Sequence, residues 1–140
     1  MLIRKLKSPD IPELVKMVKG ENAVEDYPGE YSARVFKQML KEKETIVLVV
    51  EENKRIIAFQ EFKIDPAQKR IYLETIIVSK KHRGRGIGSI LMKEVEKFAK
   101  KNRYGRLAFV VRKWNKAMNT LAKKSGYAEK DELIFWEKEI

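Results

Sequence analysis

Gly84, Gly86 and Gly88 are three of the seven glycines in this 140-residue chain, and they alternate with Arg83, Arg85, Ile87 and Ser89. Glycine has no Cβ, so successive backbone N–H groups can turn toward one anion with no side chain in the way. Arg83 and Arg85 add positive charge, and Ser89 adds a hydroxyl donor. An apolar run, Ile71-Tyr72-Leu73-Glu74-Thr75-Ile76-Ile77-Val78, precedes this turn. An amphipathic pattern follows it, with Ile87, Ile90, Leu91, Val95, Phe98 and Ala99 on one stripe. A helix opening near Ile87 brings its own unpaired N–H groups and the positive end of its dipole to the same spot. The chemistry this favours is a pyrophosphate cradle. A purely structural turn and an exposed Arg-Gly segment touching RNA are the alternatives. Spacing sets the loop apart from other phosphate loops: the dinucleotide fingerprint needs G-x-G-x-x-G. A P-loop needs Gly-Lys-Ser/Thr after four intervening residues, and this chain has neither.

Glu74 is the second residue with chemistry to offer. It interrupts an otherwise apolar strand, where strict alternation places it on one face with Tyr72, Ile76 and Val78. A carboxylate desolvated on such a face can take a proton directly or through water, as a general base does. A plain ion pair with an arginine or lysine of a neighbouring strand is the alternative. Other polar candidates carry less. His82, the single histidine, sits among lysines and reads as a solvated side chain, and no pair of histidines or carboxylates has metal-ligand spacing. Met39, Met92 and Met118 fall at helical apolar positions and read as core. Trp114 and Trp136 suit either core packing or the wall of an acceptor pocket.

These residues need a frame. Residues 2–5 suit a short opening strand. Asp10-Ile11-Pro12-Glu13 has capping-box spacing with proline at the helix start, and Ile11, Leu14, Val15 and Val18 follow helical periodicity. A second helix begins near Ser32, with Val35, Phe36, Met39 and Leu40 as its apolar side. Residues 45–51 and 55–64 read as a hairpin turning at Glu52-Asn53-Lys54. Residues 71–78, apolar on both faces, form a third, central strand covered by helices on both sides. After the glycine turn and its helix come a buried strand at 107–111 and a helix capped by Asn115. That helix ends at Ser125 with Gly126 in the left-handed C′ position. A closing strand follows over 134–136. The fold class is mixed α/β, in one domain spanning 1–140.

Composition narrows the class of protein. With 44% hydrophobic and 36% charged residues, the chain reads as globular. No apolar run reaches the length of a membrane span, and the N-terminus lacks a signal-peptide core, so the expected location is cytoplasmic with no membrane partner. The absence of cysteine excludes a thiolate nucleophile and disulfides. A net charge of +11 suits phosphate-rich partners. The basic residues are nevertheless mixed with 20 acidic ones rather than gathered in a stripe, so nucleic acid is a possible but not a favoured partner.

Ile76-Ile77-Val78, four residues and then Arg83-Gly84-Arg85-Gly86-Ile87-Gly88 resembles the R/Q-x-x-G-x-G/A signature of the GCN5-related N-acetyltransferase (GNAT) superfamily. The likeness continues through Leu107-Ala108-Phe109-Val110-Val111, Asn115 and Ser125-Gly126-Tyr127. Within the superfamily, Ile71-Tyr72-Leu73-Glu74, Gly86-Ile87-Gly88-Ser89 and Trp114-Asn115 are similar to the diamine and thialysine acetyltransferase branch. The resemblance implies a single, mostly antiparallel sheet with helices on both faces and a splay of strands at the cofactor site. It also implies acetyl-coenzyme A as cofactor, a small-molecule or protein amine as acceptor, and a homodimer.

Carried over residue by residue, the backbone of Ile76, Ile77 and Val78 would pair with the pantetheine amides. The N–H groups of residues 84–89, with Arg83 and Arg85, would hold the pyrophosphate. Asn115 would contact the pantetheine arm or thioester, and Glu74 matches the base proposed for the diamine branch. One departure stands out. The tyrosine that protonates the leaving thiolate lies seven residues after the asparagine, and here that position is Ala122. Either Tyr127 or Tyr104 substitutes, or water protonates the thiolate, or activity is lost. Two rival readings follow, a non-catalytic coenzyme A-binding module and an acetyltransferase acting on or near nucleic acid. For a cationic acceptor, the acidic run Glu21, Glu25, Asp26 and Glu30 would have to line the mouth of the site, and otherwise it is a solvated loop.

Overall fold

The computed structural model describes residues 1–20 and 31–140. Its contacts group the chain into two compact units, Met1–Val110 and Val111–Ile140. The first unit runs β1 (Leu2–Lys5), a 3-10 turn (Ser8–Asp10), α1 (Ile11–Lys19), α2 (Ala33–Lys41), β2 (Thr45–Glu52), β3 (Arg55–Asp65) and β4 (Arg70–Val78). A second 3-10 turn (Lys80–His82), α3 (Ile87–Lys101) and β5 (Arg106–Ala108) complete it. The five strands lie in chain order. β1 to β4 pair antiparallel, and β5 joins β4 in parallel, with α3 as the crossover.

Alternation sorts the side chains onto two faces. Val47, Val49, Phe59 and Ile77 pack under Leu14, Val18 and Phe36 of α1 and α2. Val50 and Ala58 pack under Ile87 and Leu91 of α3 on the other face. The sheet is therefore covered on both sides, as its apolar strands require. Phe36 and Phe59 are fully buried and meet edge to face at 5.6 Å. Each contributes about 1.5–3 kcal/mol through burial. The β2–β3 turn uses Asn53 and Lys54 at φ 51° and 61°, the doubly left-handed turn whose twist matches the strands.

The α1 start differs from its capping-box reading. The Asp10 carboxylate accepts from the two terminal guanidinium nitrogens of Arg4 at 2.7 and 2.9 Å and from the Lys7 N–H at 2.8 Å. It makes no side-chain cap on α1. A charge-assisted fork outbids a neutral amide for the same oxygens. Glu13 likewise turns away, accepting from Arg55 Nε at 2.6 Å and the Ile56 N–H at 3.2 Å. α2 opens as expected, with the Val35 N–H donating to Ser32 Oγ.

The second unit holds α4 (Lys116–Lys124). The Met118 N–H donates to Asn115 Oδ1 at 3.1 Å, and Gly126 takes φ 84° past the helix end, both as the sequence implies. The expected strand over 134–136 does not form. Residues 127–140 have no regular structure, and Ile134, Phe135 and Trp136 are exposed. β5 is also shorter than the 107–111 expected and only half-buried, with Val110 74% exposed. A strand persists through its ladder partners, and among the described residues β5 has β4 alone. Trp114 is exposed too, so neither tryptophan is core.

Candidate functional site

Between β4 and α3 the chain is drawn tight. The Ser79 N–H donates to the Ile57 carbonyl, the His82 N–H to the Ser79 carbonyl, and Ser79 Oγ lies 2.6 Å from His82 Nδ1. His82 is thus tied into the turn rather than solvated as expected, with Nε2 3.9 Å from Glu52. Gly84 and Gly86 follow at φ 76° and 79°, conformations that an L side chain resists. Gly86 is the N-cap of α3 and supplies no side-chain cap. The first intrahelical bond is Ile90 N–H to the Gly86 carbonyl at 3.1 Å, so Ile87, Gly88 and Ser89 keep N–H groups without a helical acceptor. Nothing lies within 4 Å of where a Cβ on Gly84 or Gly86 would stand. Ile87 is buried against the sheet and holds this end in place. Unmet donors, an open approach and the positive end of a 15-residue helix fit a diphosphate.

The two arginines serve the loop's frame. Arg83 Nε donates to the Val78 carbonyl at 2.9 Å. Arg85 makes a fork with Glu52 at 2.7 and 2.9 Å, tying the loop to the end of β2. Hydrogen bonding to Arg85 holds the Glu52 carboxyl below the usual carboxylate range, and the same pair raises the Arg85 guanidinium. Part of the Arg85 charge is therefore spent on Glu52. Nothing in the sequence around either residue announces this partnership across 33 positions.

β4 supplies the second part of the site. It pairs with β5 only at Arg70, Ile71 and Tyr72. From Leu73 to Val78 the edge of β4 turned away from β3 has no strand partner among the described residues. The ladder between β4 and β5 thus ends ahead of the stretch holding Ile76, Ile77 and Val78, all three of which pair with β3 on the other edge. Register then reveals what alternation could not. Glu61 faces Thr75 and Phe62 faces Leu73, so Glu74 is the extra residue of a β-bulge. The bulge shifts the phase of β4: Leu73 joins Phe62, which meets Phe98 of α3, while Ile76 and Val78 still face α3. Tyr72 therefore does not share their face, and Glu74 is exposed rather than desolvated. Just past the bulge, the Thr75 hydroxyl is hydrogen-bonded to the hydroxyl of Tyr31. Glu61, opposite Thr75, is only 5% exposed. Sequence reasoning missed Tyr31, Thr75 and Glu61; a glutamate within an apolar strand was the one available signal.

Of the two tyrosines considered as replacements for the missing one, Tyr104 stacks on Phe98 near the C-terminal end of α3. The cradle is at the other end of that helix, about 20 Å away at 1.5 Å per residue. Tyr104 is not a cradle residue. In the second unit, the Tyr127 N–H donates to the Ala122 carbonyl, and its hydroxyl is buried. Asn115 uses Oδ1 as the α4 cap, and its carbonyl accepts from Asn119 Nδ2 at 2.9 Å. The acidic run Glu21, Glu25, Asp26 and Glu30 lies outside the described residues.

Comparison with known proteins gives one family and one fold. No curated protein sequence matches the chain. Among solved structures it is similar to PaiA N-acetyltransferase from Thermoplasma acidophilum in complex with coenzyme A. The identity is 21%, covering 94% of this chain and 91% of that one, with a TM-score of 0.83. It is also similar to the aminoglycoside 6'-N-acetyltransferase AAC(6')-IG from Acinetobacter haemolyticus, at 18% identity over 100% and 99% of the two chains, TM-score 0.78. A third, AAC(6')-Iy bound to a bisubstrate analogue of coenzyme A and acetylneamine, shares 17% identity over 99% and 98%, TM-score 0.80. The family model described as Acetyltransferase (GNAT) family matches residues 11–127, spanning the cradle, the bulged strand and α4, and the chain belongs to that family.

Proposed function

We propose that the chain is an N-acetyltransferase that moves an acetyl group from acetyl-coenzyme A to a primary amine of a small molecule or protein by direct attack. The observation that carries this reading is the uncapped, glycine-lined start of α3 beside a strand edge that has no strand partner among the described residues. Backbone N–H groups of residues 84–89 hold the diphosphate, with Arg83 and the part of the Arg85 charge that Glu52 leaves free. Main-chain groups of Ile76, Ile77 and Val78 take the amides of the pantetheine arm as an added strand would. Asn115 contacts the pantetheine arm or the thioester, a role that rests on the family resemblance alone. When bound, the thioester supplies the acetyl carbonyl that the amine attacks.

Glu74 takes the proton that the amine must lose. Its exposure at the bulge makes it a base within reach of a substrate and of water, rather than one activated by burial. The chain holds no acid at Ala122. A thiol with an ordinary pKa near 8.5 leaves as thiolate without full protonation, and the reaction proceeds on that basis. The similarity of residues 71–74, 86–89 and 114–115 to the diamine and thialysine branch supports a small amine as acceptor. Ala122 favours one second reading, a coenzyme A-binding module without turnover.

Calorimetry with coenzyme A, followed by thiol release over a panel of amines, tests both. The expected result is one site per chain, turnover with at least one amine, and a kcat about 100-fold lower in Glu74→Gln with unchanged coenzyme A affinity. Uptake without turnover for every amine selects the binding module. A folded protein that takes up no coenzyme A sinks both readings.

A further inference from the structure

Arg85 stands between the two left-handed glycines of the cradle, directly ahead of the Gly86 cap. Its two terminal nitrogens donate to the two Glu52 oxygens at 2.9 and 2.7 Å. A carboxylate in that fork takes the same planar set of donors that a phosphate group would take. Glu52 comes from the end of β2, and it stays an anion at neutral pH: hydrogen bonding to Arg85 holds its carboxyl below the usual range. An anion entering the cradle therefore meets a negative charge of the protein itself, seated on the arginine it would use.

A tie that only shaped the loop would help such a ligand, whereas a competing anion hinders it. The loop has other supports. The Ser79 N–H donates to the Ile57 carbonyl, the His82 N–H to the Ser79 carbonyl and Arg83 Nε to the Val78 carbonyl, while Ile87 is buried. The fork itself is open to solvent, with the Arg85 side chain 46% exposed. Exposed pairs of this kind add little to a fold. Arg85 can therefore leave Glu52 without loosening the cradle. The carboxylate left behind keeps a neighbour, His82, whose Nε2 lies 3.9 Å from it and whose Nδ1 lies 2.6 Å from Ser79 Oγ. With Ser79 donating to Nδ1, Nε2 carries the hydrogen and faces Glu52 as a donor.

We infer that Glu52 is an internal competitor of the cofactor's diphosphate: it holds the Arg85 guanidinium and yields it when the diphosphate arrives. This rests on the reading that the open start of α3 holds coenzyme A. The exchange weakens the grip on acetyl-coenzyme A and on released coenzyme A alike, because both carry the same diphosphate. It therefore favours departure of the product after transfer. Glu52 is a positioning residue here, acting on the cofactor through Arg85.

Calorimetry with coenzyme A on wild type, Glu52→Gln, Arg85→Gln and the double variant tests this. Glu52→Gln is expected to bind coenzyme A about fivefold more tightly than wild type, the upper range for an exposed ion pair. Arg85→Gln is expected to bind it more weakly. In that background the Glu52 change should alter the Kd by less than about twofold, since no arginine is left to act through. Unchanged or weaker binding by Glu52→Gln overturns the inference, and weaker binding would make the fork a support of the loop. An equal gain with and without Arg85 overturns it as well, because the carboxylate would then act by its charge alone. A folded wild-type protein that takes up no coenzyme A removes the cofactor reading itself, which separates the two failures.

Discussion

α3 and α4 begin in opposite ways. At α4, Asn115 turns its side chain onto the Met118 N–H and closes the helix start from within. At α3, Gly86 occupies the same cap position with nothing to offer, and the space above it is open. Both helices carry the same unmet donors by geometry. A helix start that satisfies itself contributes to stability, whereas one left unsatisfied is available to a ligand with negative charge. The frame of the open end is made elsewhere, by Arg83 on the Val78 carbonyl, Arg85 on Glu52 and Ile87 in the core.

The sharpest way to break this contrast is to give α3 the cap of α4. Asparagine tolerates positive φ better than other side chains, so Gly86→Asn is expected to fold. Its side chain fills the approach and competes for the first-turn donors. Coenzyme A affinity by calorimetry should fall about 100-fold or more, equivalent to about 2.7 kcal/mol. Retained affinity in a folded Gly86→Asn protein would mean that the open start of α3 is not the phosphate site.

The converse change has a smaller effect. Asn115→Ala removes the α4 cap and should cost about 1 kcal/mol in urea or thermal unfolding. Asn115→Ser keeps a capping oxygen and should recover most of that loss. Equal damage from the two would show that the cap contributes little.

The smallest effect belongs to the loop's outer tie. The Glu52–Arg85 pair is exposed, and such pairs add little to stability, so Glu52→Gln should shift the Tm by no more than about 2 °C. Its pH dependence has a definite sign. The folded protein holds the Glu52 carboxyl below its usual range, with hydrogen bonding to Arg85 as the main cause. The contribution is therefore present above the ordinary carboxylate pKa and is lost only as acid carries the solution down through the lowered value. Stability curves of wild type and Glu52→Gln should run parallel from pH 7 to pH 5 and converge in stronger acid.

Features made by neighbours along the chain were legible before any coordinates. The Asn53-Lys54 turn, the helix start near Ser32, the Asn115 cap and the left-handed Gly126 each depend on residues within a few positions. Features that depend on which distant residue arrives first were not. Asp10 could cap α1 or meet Arg4, and charge decided for Arg4. Arg85 adds positive charge to the loop, and only the structure shows that it shares this charge with Glu52.

The amino-acid sequence alone determined a mixed α/β chain, the apolar faces of its strands and helices, and a glycine turn able to gather backbone donors around an anion. Those are short-range matters of side-chain volume, periodicity and permitted φ. Tertiary structure decided the rest: that Glu74 is the extra residue of a bulge, that Tyr31 reaches Thr75, that β4 parts from β5 after three residues, and that residues 134–136 form no strand. Strand register is chosen by summed pairing over the whole ladder, so a one-residue offset that reverses a side chain's face leaves no mark in the local sequence.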